Sequence, residues 1–92
     1  IIPADELLAD LYLVLNRPEE ALKAYELNLK GHPFRFNGIY GAAKAAQQLN
    51  DTKLAIYYFK KLIKLSKDVN SSRAELLEAK DYLDNNSNST NV

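Results

Sequence analysis

Any chemistry in this chain would have to start from His32, the only histidine, and from the carboxylates Asp5, Glu6, Asp10, Glu19 and Glu20. A zinc site needs three or four convergent nitrogen, sulfur or carboxylate ligands. The sequence has no cysteine, so thiolate sites and disulfides are excluded and only carboxylates are left to assist one imidazole. His32 stands between Gly31 and Pro33 with no nucleophile motif beside it, and it reads as a loop residue rather than a catalytic base. The five carboxylates fall on faces expected to be exposed, where solvation outweighs general acid–base work. Gly38 and Gly41 do not follow a strand, so no phosphate loop is indicated. Lys60, Lys61, Lys64 and Lys67 form the densest cationic cluster, and they could touch phosphates. They also end a helix, where cations are favoured, and a solvated helix end is the simpler reading. The sequons at Asn70, Asn85 and Asn88 read as chance products of an Asn/Ser-rich segment. These residues give no reason to expect an enzyme, a cofactor or a metal.

The scaffold that would position such residues is one domain. A chain of 92 residues supports a single modest core. Gly and Pro number three each, too few for the many turns of an all-β protein. No apolar run approaches the roughly 20 residues needed to cross a bilayer. The chain opens Ile1-Ile2-Pro3 without an initiator Met and reads as a piece of a longer protein. Formal charge is zero overall but blocked along the chain. Residues 1–30 carry three bases and six acids, residues 31–67 seven bases and one acid, and residues 68–92 two bases and five acids. The blocks are thus −3, +6 and −3, unlike a nucleic-acid-binding domain, which is usually basic throughout.

Helical periodicity runs through the chain. Leu7, Leu8, Leu11, Tyr12 and Leu15 recur at spacings of three and four and predict one inward stripe of a first helix, Ala4 to Leu15. Pro3 and the acids Asp5 and Glu6 suit its start. Asn16-Arg17 breaks the pattern and Pro18 restarts it. Ala21, Leu22, Ala24, Tyr25 and Leu29 make a second stripe, which Gly31 is expected to stop in a left-handed conformation before Pro33. A third helix is predicted from Phe34 or Asn37 to Leu49. Asn50-Asp51-Thr52 is a capped turn. A fourth helix is predicted from Thr52 to Ser66, with Leu54, Ala55, Tyr58, Phe59, Leu62 and Ile63 inward. Asn70-Ser71-Ser72 can cap a fifth, Ser72 to Leu83. The remainder, residues 85–92, "NNSNSTNV", has almost no apolar content and is expected to be disordered.

The stretch "YGAAKAAQQL", Tyr40 to Leu49, places small residues where a core helix usually carries large ones. It also belongs to a repeat. Asn16 and Asn50 lie 34 residues apart, as do Ala9 and Ala43, Ala21 and Ala55, and Tyr25 and Phe59. Leu8-Ala9-x2-Tyr12, Ala21-x3-Tyr25 and Pro33, with Ala43 and Ala55-x3-Phe59 one period on, resemble the tetratricopeptide repeat. "RPEEALKAYE", Arg17 to Glu26, resembles the second helix of such a unit. "FRFNGIYGAAKAA", Phe34 to Ala46, resembles a segment near the C-terminal end of longer bacterial tetratricopeptide proteins. The pattern departs at Asp5, where the family often has Trp, at Ala42 and Ala46, and at Lys67, which occupies the Pro site.

The resemblance implies an all-α fold, a right-handed superhelix of two helical hairpins (2–35 and 36–69) and a capping helix (71–84), making one domain over residues 1–84. Small residues at Ala9, Ala21, Ala43 and Ala55 would let helix axes approach closely. In this family the first helices line a concave groove that binds a peptide. By position the groove would be made of Glu6, Asp10 and Leu13 from the first unit and Asn37, Tyr40, Lys44 and Gln47 from the second. Glu6 and Asp10 would repel a peptide's C-terminal carboxylate and suit a basic residue instead, with an apolar group against Tyr40. The expected function is a non-catalytic interaction or scaffold module with a protein or peptide partner and no nucleic-acid or membrane partner. The alternative is a structural C-terminal cap of a longer array within a larger protein, which would leave Ile1, Ile2 and Leu7 exposed and self-associate through its end faces; an enzymatic reading requires that the rest of that protein hold the active site.

Overall fold

Two three-residue turns set the frame. Leu15, Asn16 and Arg17 end the first helix, and Leu49, Asn50 and Asp51 end the third, 34 residues later. Asn16 and Asn50 both sit at φ 61°, the left-handed conformation that asparagine tolerates better than most residues. The amide of Asn16 donates to Leu13 O at 3.0 Å, and that of Arg17 donates to Tyr12 O at 2.8 Å. The amides of Asn50 and Asp51 repeat this to Gln47 O and Ala46 O, both at 3.0 Å. Each turn therefore closes a Schellman pair that satisfies carbonyls the helix would otherwise orphan. Asp51 Oδ1 then accepts from the amide of Leu54 at 3.2 Å, the cap expected of Asn50-Asp51-Thr52.

The computed structural model describes residues 2–66 and 73–90, the side chains of 87–90 excepted, and over these the chain is all-α. The helices are α1 (Ala4–Val14), α2 (Pro18–Gly31), α3 (Phe36–Gln48), α4 (Thr52–Ser66) and α5 (Ala74–Thr90). Each packs on the next, and α1 also touches α3. The whole measures 40 × 29 × 21 Å.

The core follows the repeat. Ala9, Ala21, Ala43 and Ala55 are all fully buried, with Tyr25 and Phe59 filling the space between helices. Ala42, Ala45 and Ala46 are buried as well, so α3 is enclosed on most of its circumference. Of the three glycines, Gly41 is the most tightly enclosed, since an added Cβ there would lie 2.2 Å from Tyr25 Cζ. Ala55, Tyr58, Phe59 and Leu62 of α4 point inward as expected, with Leu54 and Ile63 half-buried beside them. Helix α5 covers α4 with Leu76 and Ala79 and stacks Tyr82 on Phe59 at 4.9 Å between ring centroids.

Four expectations need correction. Gly31 is not a left-handed stop, because no glycine has positive φ among the described residues. Instead His32 leaves the helix at φ −137°, ψ 68°, since Pro33 bars the residue before it from the helical region. The stripe Leu7, Leu8, Leu11 and Leu15 does not face inward, because all four are exposed. Helix α1 has neighbours on only one side, and Glu6 and Ala9 take that side. Glu6 is accordingly not on an exposed face but fully buried. The fifth helix does not stop at Leu83 but runs to Thr90, through most of the segment expected to be disordered. Extending a formed helix adds a hydrogen bond per residue with no new nucleation, and Asn86 Nδ2 donates to Tyr82 O at 2.8 Å. Lys67, the cap Asn70-Ser71-Ser72 and residues 91–92 lie outside the described residues.

Candidate functional site

The expected groove residues separate into two polar clusters, and both are engaged within the chain. The first is built on Glu6. Its Oε1 accepts from Arg35 Nε at 2.8 Å and from Asn28 Nδ2 at 3.4 Å, and its Oε2 accepts from Asn37 Nδ2 at 2.9 Å and Arg35 Nη2 at 3.4 Å. Helix α1 thus contributes the carboxylate, α2 an amide and the start of α3 the cation and second amide. Asp10, one turn on from Glu6, accepts a hydrogen bond from the Tyr25 hydroxyl and a long one from Asn37 at 3.5 Å. A fully buried carboxylate is tolerable only when paired in this way.

The second cluster joins α3 to α5. Tyr40 Oη donates to Glu78 Oε1 at 2.7 Å, and Lys44 Nζ donates to Glu78 Oε2 at 2.6 Å. Burial raises the Glu78 carboxyl, but the bonds from Lys44 and Tyr40 and the charge of Lys44 outweigh it and hold the group below its ordinary range. Of the expected groove, Leu13 is half-buried in the core margin and Gln47 is exposed. The structure therefore brings Glu6, Asp10 and Asn37 together, and Tyr40 with Lys44, but spends them on holding the helices to one another. Arg35 and Glu78 close these clusters, and sequence reasoning missed both. Arg35 lies 29 residues from Glu6, and Glu78 is one of four acids at three-residue spacing on α5 (Glu75, Glu78, Asp81, Asp84), so no local pattern singles out either.

The comparisons with known proteins fall silent at this point. No family model matches the chain, and neither a curated protein nor a solved structure does. The functional reading therefore rests on surfaces alone.

Among the described residues two surfaces stand out as open. One is the outer face of α1, where Leu7, Leu8, Leu11, Val14 and Leu15 are exposed by between 44% (Leu8) and 81% (Val14). The other is a cavity of about 590 Å³ beside α4, lined by Phe34, Tyr57 and Leu65 and by the exposed Lys60, Lys61 and Lys64. Phe34 is 77% exposed there. Lys61 Nζ lies 5.1 Å from the Tyr57 ring centre and 3.2 Å from its hydroxyl. His32 is exposed, and among the described residues no three His, Cys, Asp or Glu side chains converge on a point that could hold a metal.

The buried phenols make the fold alkali-sensitive. Burial, then the hydrogen bond and charge of Asp10, pushes Tyr25 far above its ordinary value of 10.0. Burial, then the charge of Glu26 beside it, does the same to Tyr58, whose hydroxyl meets Glu26 at 3.1 Å. Above pH 10 the unfolded chain loses these protons while the folded chain keeps them. The unfolded state then binds fewer protons, so stability falls as pH rises. Burial, then the hydrogen bond and charge of Glu78, pushes Tyr40 up as well, and with all three phenols titrating only when unfolded the slope should approach about 4 kcal/mol per pH unit. Urea denaturation at a series of pH values above 10 measures it, and Tyr58→Phe should make the slope shallower by about 1.4 kcal/mol per unit. A slope that Tyr58→Phe leaves unchanged would show that the phenol is not held neutral by the fold.

Proposed function

We propose that this chain is a non-catalytic protein-interaction module of two tetratricopeptide-like hairpins and a capping helix, arranged as a right-handed superhelix. Its working surface is the open face of α1 rather than a concave peptide groove. One observation carries this reading. Shifted by 34 residues, Leu7, Leu8 and Leu11 correspond to Gly41, Ala42 and Ala45, which are buried on α3. Gly41 meets Tyr25 of α2 directly. The face that α3 turns to a preceding helix is thus the face that α1 leaves bare, and it carries leucines in place of glycine and alanine. Exposed apolar stripes of this extent mark interaction sites more often than they occur by chance. The groove residues support the same preference, because Glu6, Asp10, Tyr40 and Lys44 already have partners within the chain.

A helix that docks on α1 must differ from α2 in one respect. Tyr25 fits α3 because Gly41 has no side chain, so opposite Leu7 the partner needs a small residue. The test is a chain in which an extra copy of residues 1–35 is joined directly to Ile2, which keeps the 34-residue spacing, with Tyr25→Ala in the added copy. Docking predicts slower hydrogen exchange in the original α1 and a higher thermal midpoint. Unchanged exchange in α1, with the added hairpin helical by circular dichroism, would refute the docking face.

A further inference from the structure

We infer that the occupant of the α1 face is a second copy of this chain, which receives α1 in the lysine-lined cavity beside α4. The inference rests on the reading of α1 as a docking face and names its partner. The two open surfaces are complementary in charge. Helix α1 offers a row of leucines, and residues 1–16 contain no lysine or arginine; of their three carboxylates Glu6 is buried against Arg35, which leaves Asp5 exposed and Asp10 half-buried. By helical geometry Asp5 and Asp10 lie along the two edges of the leucine row. The cavity offers the converse, with Phe34, Tyr57 and Leu65 in its lining together with the exposed Lys60, Lys61 and Lys64. Helix α4 has four lysines, Lys53, Lys60, Lys61 and Lys64, and no carboxylate. The charge blocks follow the same division, −3 over residues 1–30 and +6 over residues 31–67.

An acidic helix with one apolar face is the ligand that lysines around an apolar wall select, because its carboxylates face opposite charge while its leucines cover apolar surface, and a basic or wholly polar helix would meet like charge or leave the wall uncovered. The chain carries such a helix, unpartnered, on its own first element. Phosphate or nucleic acid would satisfy the lysines but leave Phe34 and Tyr57 in water. The two surfaces belong to different elements, α1 packed on α2 and α3, and α4 packed on α3 and α5. Their contact is therefore heterologous, and copies joined this way grow as an open chain or close as a ring.

Sedimentation velocity over a wide concentration range tests this with two variants whose changed residues are exposed. The face variant is Leu8→Ser with Leu11→Ser, and the cavity variant is Lys61→Glu with Lys64→Glu. The unaltered chain should associate progressively, about tenfold more weakly in high salt than in low. Each variant alone should be monomeric and as helical as the parent. An equimolar mixture should form a one-to-one dimer, because one variant keeps an intact α1 and the other an intact cavity. If the cavity variant associates like the parent while the face variant does not, the docking face stands and the cavity is not its receptor. If both variants associate like the parent, or the parent stays monomeric throughout, the self-assembly proposed here is wrong. Binding of the parent to polyphosphate in preference to a second copy would likewise overturn it.

Discussion

Arg35→Ala should be among the most damaging single substitutions in this chain, costing roughly 3–5 kcal/mol. Its guanidinium meets Glu6 Oε1 at 2.8 Å, and the Glu6 side chain is only 1% exposed. Removing the cation leaves a carboxylate in the core with the two amides of Asn28 and Asn37 and no compensating charge. The reverse change is milder. Arg35 is 34% exposed and can turn to water. Glu6→Gln removes the charge but keeps the shape and some hydrogen bonding, so it should cost about 1–2 kcal/mol. A domain of this size has roughly 5–14 kcal/mol in all, so Arg35→Ala could consume most of it. Urea denaturation at neutral pH reads both. Arg35→Ala costing no more than Glu6→Gln would show that the carboxylate is not held by this pair. The double replacement Glu6→Leu with Arg35→Leu should recover much of the loss, because no charge is then left buried.

This asymmetry marks the limit of what the sequence discloses. The helices were legible because each carries its own punctuation. Pro18 opens α2, Asp51 caps α4, and Asn16 and Asn50 turn the chain in the same way. The close approaches were legible for a different reason: Ala9, Ala21, Ala43 and Ala55 recur at one offset, and helix propensity alone would not space them so. What covers a stripe is not legible in this way. Periodicity shows that Leu7, Leu8, Leu11 and Leu15 share a face, and it is silent on whether anything lies against that face. In α1 the inward side went instead to Glu6 and Ala9, a buried acid and a small residue, and the leucines were left outside. The polar clusters were illegible because each is closed by a long-range partner. Arg35 joins Glu6 across 29 residues and Glu78 joins Lys44 across 34. Glu6, Asp10 and Asn37 do lie in one place, but Arg35 and Tyr25 make that group a joint between helices.

Gly41→Ala is the second large effect, and it separates tight packing from helix propensity. On propensity alone an alanine in mid-helix should stabilise by about 1 kcal/mol over glycine. At Gly41 the new Cβ would fall 2.2 Å from Tyr25 Cζ and 2.6 Å from its hydroxyl oxygen. Tyr25 has little room to retreat, because it is 1% exposed and its hydroxyl is tied to Asp10. Overpacking should therefore prevail, giving a net loss of about 2 kcal/mol with the Tyr25–Asp10 bond broken or stretched. Gly31 is the internal control. It ends α2, nothing lies within 4 Å of a Cβ added there, and its φ is not positive. Gly31→Ala should accordingly stabilise by about 0.5–1 kcal/mol. Thermal and urea denaturation of the two variants compare one substitution in two settings, and opposite signs are the expected result. If Gly41→Ala also stabilises, the α2–α3 contact is looser than its geometry implies. The bare face of α1 would then lose its template, because α3 is the measure of how closely a docked helix can sit there.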